Sequence, residues 1–320
     1  MLTKASFLRN LANPARIIVI SLLLYLSFQQ SQALRQATAT LKVLQNDPGI
    51  TSKYYNYTFE TLPFPPPKQF RQYHRCNFEP LPRVLSMYDS ALYLTLTNKS
   101  LARFGDYDIE ILSDRPVYFQ KPSDSLKEAL SYVFTHYLPD LDLGLSDVFS
   151  GYSELAHNII NDWTGDRLQE DIRWMKENAN YSRYYLSTLL TTPYVYSRKS
   201  YCNNIDQIYD LLRSVWKDKD LIILRGNNGQ VYEYDVYDTS RSQKIHLAPR
   251  YNAWDEYEGI KAKLLEEDPS ALYILAAGPI SKVLAYDLAK EGRRALDLGH
   301  LAKDYDLYKK GGRVKRFWRD

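Results

Sequence analysis

The chain is poor in cysteine, with two in 320 residues, in glycine, with 13, and in histidine, with five. Two cysteines, Cys76 and Cys202, permit at most one disulfide, so a fold held by a disulfide framework is excluded. Net charge is only +3, from 41 basic and 38 acidic side chains. That balance argues against a nucleic-acid partner captured by bulk electrostatics, and none is expected. Long hydrophobic runs are also missing: the longest, Ile17 to Phe28, has 12 residues. Neither the G-x-x-x-x-G-K-[ST] spacing of a Walker loop nor the G-x-G-x-x-G dinucleotide fingerprint occurs.

What is present is the composition of a globular protein, 45% hydrophobic and 25% charged, with basic residues concentrated at the two ends. Lys4, Arg9 and Arg16 precede the apolar run, and six basic residues crowd Lys309 to Arg319. The run is shorter than the roughly 17 to 25 residues of a membrane span and matches a signal-peptide core. A signal anchor, a cleaved signal and a buried core helix are the three readings. The anchor, a single-pass type II arrangement with a lumenal body in the Golgi or ER, fits the basic flank, with secretion as the alternative. Three sequons, at Asn56, Asn98 and Asn180, agree with a lumenal body.

The reading divides the chain into a tail and signal segment at 1–30, a proline-rich stem at 31–82, an α/β domain at 83–308 and a basic tail at 309–320. Within the third part apolar runs alternate with helical patterns. Helices are expected at 84–97, 123–137 with Ser123 as N-cap, 154–163, 167–177, 206–216, 252–267 and 279–290. Strands are expected at 101–104, 141–145, 193–198, 220–226, 271–277 and 294–299. Continuous apolar strands between helices predict a Rossmann-like, mostly parallel sheet covered on both faces, with ligands at the strand ends.

Four strand ends carry candidate chemistry. After Phe104 comes Gly105-Asp106-Tyr107-Asp108-Ile109-Glu110; an extended course would place the three acids on one face, able to share an ion with a diphosphate. A solvated acidic turn is the alternative. Gly278-Pro279-Ile-Ser281-Lys282 opens a helix with free N–H groups suited to a phosphate. Asp297-Leu-Gly-His300 leads to Asp304-Tyr-Asp306, a histidine and acids that could serve a metal, a base or a sugar. Tyr196-Ser-Arg198 offers a guanidinium for phosphate or carboxylate.

In chain order, Leu101-Ala-Arg-Phe-Gly-Asp-Tyr-Asp108, Tyr196-Ser-Arg198, Pro249-Arg-Tyr-Asn-Ala-Trp254 with Tyr257, Gly278 to Ala289 and Ala295-Leu-Asp-Leu-Gly-His300 resemble the glycosyltransferases of the GT-D fold, known mainly from bacterial enzymes that extend adhesin glycans. The likeness spans residues 84–308. It implies transfer from a nucleotide sugar, a UDP-sugar, to a glycan or glycoprotein acceptor, with manganese or magnesium. Carried over residue by residue, it puts the metal on Asp106, Asp108 and Asp306, catalysis on Asp306 and His300, and donor binding on Arg103, Gly105, Arg198, Asn252, Gly278, Pro279, Ser281 and Lys282. The family motif reads Arg-Phe-Gly-Asp-Gly-Glu. This chain departs from it with Tyr107 for glycine and Asp108 for glutamate, which adds bulk and shortens reach. A non-catalytic binding protein on the same fold is the other expectation. A phosphatase or nucleotidyl hydrolase is disfavoured, because no second carboxylate cluster makes a two-metal site.

Overall fold

The computed structural model describes residues 82–146, 173–197, 205–227 and 229–311. The apolar run at 17–28, most of the stem, the helix expected at 154–163, Arg198, both cysteines and the basic tail beyond 311 lie outside these residues. Among those described, no helix is long and apolar enough to cross a membrane. The described sequons, Asn98 and Asn180, are both exposed.

The elements in chain order are β1 (Arg83–Val84), α1 (Met87–Leu96), β2 (Ser100–Arg103), α2 (Asp106–Leu112), α3 (Asp124–Thr135), β3 (Leu141–Leu145), β4 (Tyr184–Ser187), α4 (Pro193–Ser197), α5 (Ile205–Trp216), β5 (Asp220–Gly226), β6 (Ser242–Ala248), α6 (Tyr257–Leu265), β7 (Leu272–Ala276), α7 (Ile280–Lys290), β8 (Ala295–Asp297) and α8 (Leu301–Lys309). The eight strands form one sheet in the order β1-β4-β3-β2-β8-β7-β5-β6, every pairing parallel. This is the α/β architecture expected from the alternation of apolar strands and helices.

Alternation along each strand divides the core in two. Ala102, Tyr273 and Leu275 face a cluster completed by Ile109 and Leu112 of α2, Leu126 and Leu130 of α3, and Leu284 and Leu288 of α7. Leu101, Leu272 and Ile274 face the opposite cluster, with Leu94 of α1, Leu212 and Trp216 of α5, and Leu301 and Tyr305 of α8. Adjacent strands β2 and β8 therefore send their following helices to opposite faces of the sheet: α2 to one, α8 to the other. Such a switch point opens a crevice beyond the strand ends, where parallel sheets bind ligands.

Local signals account for most boundaries. The Ser86 hydroxyl caps α1 by accepting from Asp89 N at 3.0 Å, and Ser123 caps α3 by accepting from Leu126 N at 3.3 Å. Three expectations are corrected. Of the strand expected at 193–198, the described residues 193–197 are helical: Pro193 opens the short helix α4, and the carboxylate of Asp304 accepts from Tyr194 N at 2.9 Å and Val195 N at 3.0 Å at its positive end. Residues 252–267 break at a 3-10 turn, Ala253–Glu256, because Asn252 adopts a left-handed φ of 53°. Residues 106–110 are the start of α2 and not an extended stretch, so their acids do not line one face. Strands β1, β4 and β6 were not foreseen: Val84, expected to open the first helix, lies in β1, and β6 is an edge strand with four polar residues in seven.

Candidate active site

The crevice is built from the ends of β2, β7 and β8. From β2, the Arg103 guanidinium turns along the sheet, its Nε donating to Asp297 O at 2.9 Å and a terminal nitrogen to Thr188 O at 3.1 Å. A second terminal nitrogen stands 3.6 Å from the Asp297 carboxylate. This side chain lies flat against Gly299, whose φ is +45°. A Cβ there would come within 3.1 Å of the guanidinium carbon, so the Asp-Leu-Gly end of β8 needs glycine for close approach as well as for φ.

Lys282, on the first turns of α7, reaches into the same place. Its Nζ lies 3.1 Å from Asp108 Oδ2 and 3.3 Å from Asp297 Oδ2, and it donates to Gly278 O at 3.2 Å. Asp108 Oδ2 also accepts from Gly105 N at 2.8 Å, which closes the first turn of α2. The Lys282 and Asp297 side chains keep 7% and 2% of their exposure. Burial raises the Asp108 carboxyl above its ordinary range, while the Lys282 ammonium opposes that rise. Two carboxylates, an ammonium and a guanidinium thus neutralise one another in a dry setting. Removing one member of such a group costs about 3–5 kcal/mol, because the remainder is left unpaired.

Three groups face outward around this cluster. Asp106, the first residue of α2, is exposed, and its carboxyl is pushed up to about 6. The crowding of protein around it is the largest cause, Asp108 and Glu110 act in the same direction, and the backbone N–H groups of 106 and 107 oppose the rise. His300 precedes α8 and is lowered to about 4 by desolvation and by the charges of Arg103, Lys303 and Lys282. The residue is exposed, and the charges of Arg103, Lys303 and Lys282 favour its neutral imidazole while Asp297 opposes them. Gly278, exposed and with φ +66°, leads through buried Pro279 into α7. Ser281 does not face the crevice: fully buried, its hydroxyl accepts from Ala277 N at 2.9 Å.

The structure therefore brings together Arg103, Gly105, Asp106, Asp108, Gly278, Pro279, Lys282 and His300. Asn252 instead staples the neighbouring loop, donating its N–H to Phe119 O at 2.9 Å and accepting from Lys121 N at 2.8 Å through Oδ1. Asp306 does not join Asp106 and Asp108: it accepts from Glu233 N at 2.9 Å and Tyr234 N at 3.0 Å, and pairs with Lys310 at 2.9 Å. Its carboxyl sits below the ordinary range; burial opposes this, and the Lys310 bond and the two N–H groups outweigh it. Asp297 was missing from the expected set, although it is the hub between Arg103 and Lys282. Its place at the end of a short apolar strand was the available signal. A cavity of about 530 Å³ between β6 and α6, lined by Leu224, His246 and Trp254, shares none of the crevice residues.

The expected metal ligands fit an ion only in part. Among the described residues no group of three His, Cys, Asp or Glu side chains is arranged to hold one. The space between Asp108 and Asp297 already contains the Lys282 ammonium. Asp106 alone offers a solvent-facing carboxylate, beside the charges of Asp108 and Glu110. That suits an ion whose other ligands come with a bound diphosphate and not one caged by protein.

The family model for the glycosyltransferase GT-D fold matches residues 101–317. A probable glycosyl transferase, Gly, of Streptococcus gordonii is 31% identical over 234 residues, which is 72% of this chain and 34% of that protein. Glycosyltransferase GlyD of Streptococcus pneumoniae serotype 4 is 26% identical over 70% of this chain and 27% of its own length. The chain thus spans about a third or less of the curated relatives it matches. Among solved structures, a glycosyltransferase of Streptococcus sanguinis containing the domain of unknown function 1792 aligns with a TM-score of 0.67 and 30% identity over 72% of this chain and 86% of that one. A second structure of that domain, described as a distinct glycosyltransferase fold, aligns with a TM-score of 0.64 and 25% identity, covering 72% of this chain and 83% of its own. With its matched segments meeting at one switch-point crevice, the chain belongs to the family of glycosyltransferases with the GT-D fold.

Proposed function

We propose that this domain transfers a sugar from a nucleotide sugar, a UDP-sugar, to a glycan or glycoprotein acceptor at the crevice between β2 and β8. The observation that carries the reading is the meeting of three chain segments, 103–108, 278–282 and 297–300, around Lys282. The start of α7, at exposed Gly278, supplies the positive side that a diphosphate leaving group needs, and the neutralised cluster of Arg103, Lys282, Asp108 and Asp297 fixes it in place. The buried cluster holds Asp106 and His300 in place at its rim. Neutral His300 can donate one N–H to a phosphate or sugar oxygen and accept at the other nitrogen.

Manganese or magnesium belongs to the proposal as an ion shared by Asp106 and the diphosphate, where it would neutralise charge on the leaving group. Asp106 is its protein anchor in this reading, and Asp108 holds the turn that presents Asp106. The alternative, a protein that binds the nucleotide sugar without turnover, draws on one observation: the second acid of the motif is already engaged by Gly105 N and Lys282. Residence in the Golgi or ER, membrane-anchored through residues 17–28, is part of the same proposal and rests on sequence alone. Sensitivity of Asn98 and Asn180 to glycan removal in expressed chain would support a lumenal body.

The test is a screen of UDP-sugars with the full chain, with and without manganese, reading UDP release. Release that requires manganese and is lost in Asp106→Asn supports the proposal. Nucleotide-sugar binding by calorimetry with no release under any condition selects the alternative.

A further inference from the structure

Beside the crevice stands a group of aromatic side chains that donor chemistry leaves unused. Tyr107, Tyr118 and Phe119 pack edge to face with ring centroids 6.0 Å, 5.0 Å and 5.0 Å apart. Tyr118 is 77% exposed and Tyr107 38%, an unusual outlay of aromatic surface in water. Their loop is not loose. Phe119 O and Lys121 N are both bonded to Asn252, and buried Gln120 accepts from Trp254 N at 3.3 Å. Phe119 also closes on Gly278, its ring edge 3.8 Å from where a Cβ would stand. The rings are thus pinned against the rim of the crevice, with Asp106 next to Tyr107.

We infer that this aromatic step is a saccharide subsite, seating a neutral pyranose ring of the acceptor against Tyr118 and Tyr107, with Asp106 accepting from its hydroxyls. The occupant follows from charge. Asp106 precedes Tyr107 at the exposed start of α2 and Glu110 follows one helical turn after Asp106, so the step is acidic as well as aromatic. A sugar offers C–H faces to the two exposed rings and O–H donors to the carboxylates beside them. The inference rests on the transferase reading for the name acceptor but not for the binding itself.

The test pairs two measurements on the full chain. Saturation-transfer NMR without donor, using methyl glucoside, methyl galactoside and N-acetylglucosamine, should show ring C–H signals that Tyr118→Ala abolishes and Tyr118→Phe keeps. In the transfer assay Tyr118→Ala should raise the acceptor KM roughly tenfold, the effect of losing one stacked ring, while donor hydrolysis without acceptor stays within about twofold. Exposure of Tyr118 makes a folding defect an improbable confounder, and the melting temperature checks it. Saccharide signals unchanged in Tyr118→Ala, or a raised KM for the UDP-sugar in place of the acceptor, would overturn the inference. Absence of UDP release would sink the transferase reading alone, leaving the NMR arm to decide the subsite.

Discussion

The tripeptide Asp-Tyr-Asp occurs twice beside the crevice, at 106–108 and at 304–306, and the two copies do different work. In the first, Asp108 turns inward to Gly105 N and Lys282 while Asp106 faces solvent. In the second, Asp304 is fully buried, accepting from Tyr194 N, Val195 N and Tyr209 Oη, and Asp306 clamps the backbone at 233–234. Both follow strands at the same switch point. What separates them is where the helix begins: 106 is the first residue of α2, whereas 304 lies three residues into α8, so its acids project sideways onto α4, α5 and the 233–234 loop. The same spacing is a rim in one place and a fastening in the other.

The largest expected effect comes from the neutralised cluster behind the first copy. Lys282→Met leaves buried Asp108 without its cation and Asp297 with Arg103 alone, and stability should fall by about 3–5 kcal/mol in chemical denaturation. Adding Asp108→Asn to Lys282→Met should recover part of the loss; an unaltered deficit would show that Lys282 is not paired as described.

Next is Asp304. Asp304→Ala strands two backbone N–H groups and the Tyr209 hydroxyl, at a cost of about 2–3 kcal/mol. The pH dependence has a defined sign. Burial raises this carboxyl from 3.8 to about 6 against the pull of its hydrogen bonds, so its contribution is complete below pH 3.8 and is lost as pH rises through 6. The stability difference between the natural chain and Asp304→Asn should therefore shrink from pH 4 to pH 7, and a difference that grew would reverse the assignment.

A smaller effect, about 1 kcal/mol, is expected for Asp306→Asn, since both N–H groups donate to the one oxygen Oδ1 and an amide oxygen can still accept from both, more weakly, while the Lys310 pair on Oδ2 is lost. Amide exchange at Glu233 and Tyr234 should accelerate. If manganese binding were lost as well, Asp306 would have to be returned to the metal set.

Much of this was legible in the sequence because apolar strands that stop at glycine mark the ends of a parallel sheet. Leu101 to Gly105, Asp220 to Gly226 and Ala295 to Gly299 all do so. β6 was passed over because its alternation is short, Ile245 and Leu247 interleaved with Lys244 and His246 after the polar Ser242 and Gln243. Residues 193–198 misled through β-favouring Tyr and Val, whose preference yields to Pro193 and to a carboxylate 110 residues later in the chain. Candidate residues at 103–108, 278–282 and 300 did converge. Which acid stays open did not show, because that depends on where Lys282 and the N–H groups of other segments spend their hydrogen bonds.

The central claim is that the first Asp-Tyr-Asp is the working one and that Asp106 is its open acid. It is tested most directly by UDP release from a UDP-sugar with manganese, comparing Asp106→Asn and Asp306→Asn in folded protein of matched melting temperature. The account predicts a loss of at least about a hundredfold for Asp106→Asn, the order expected when a group acting on the leaving-group charge is removed, and activity within a few-fold of the natural chain for Asp306→Asn. Retained turnover in Asp106→Asn, with turnover lost in Asp306→Asn, would contradict it.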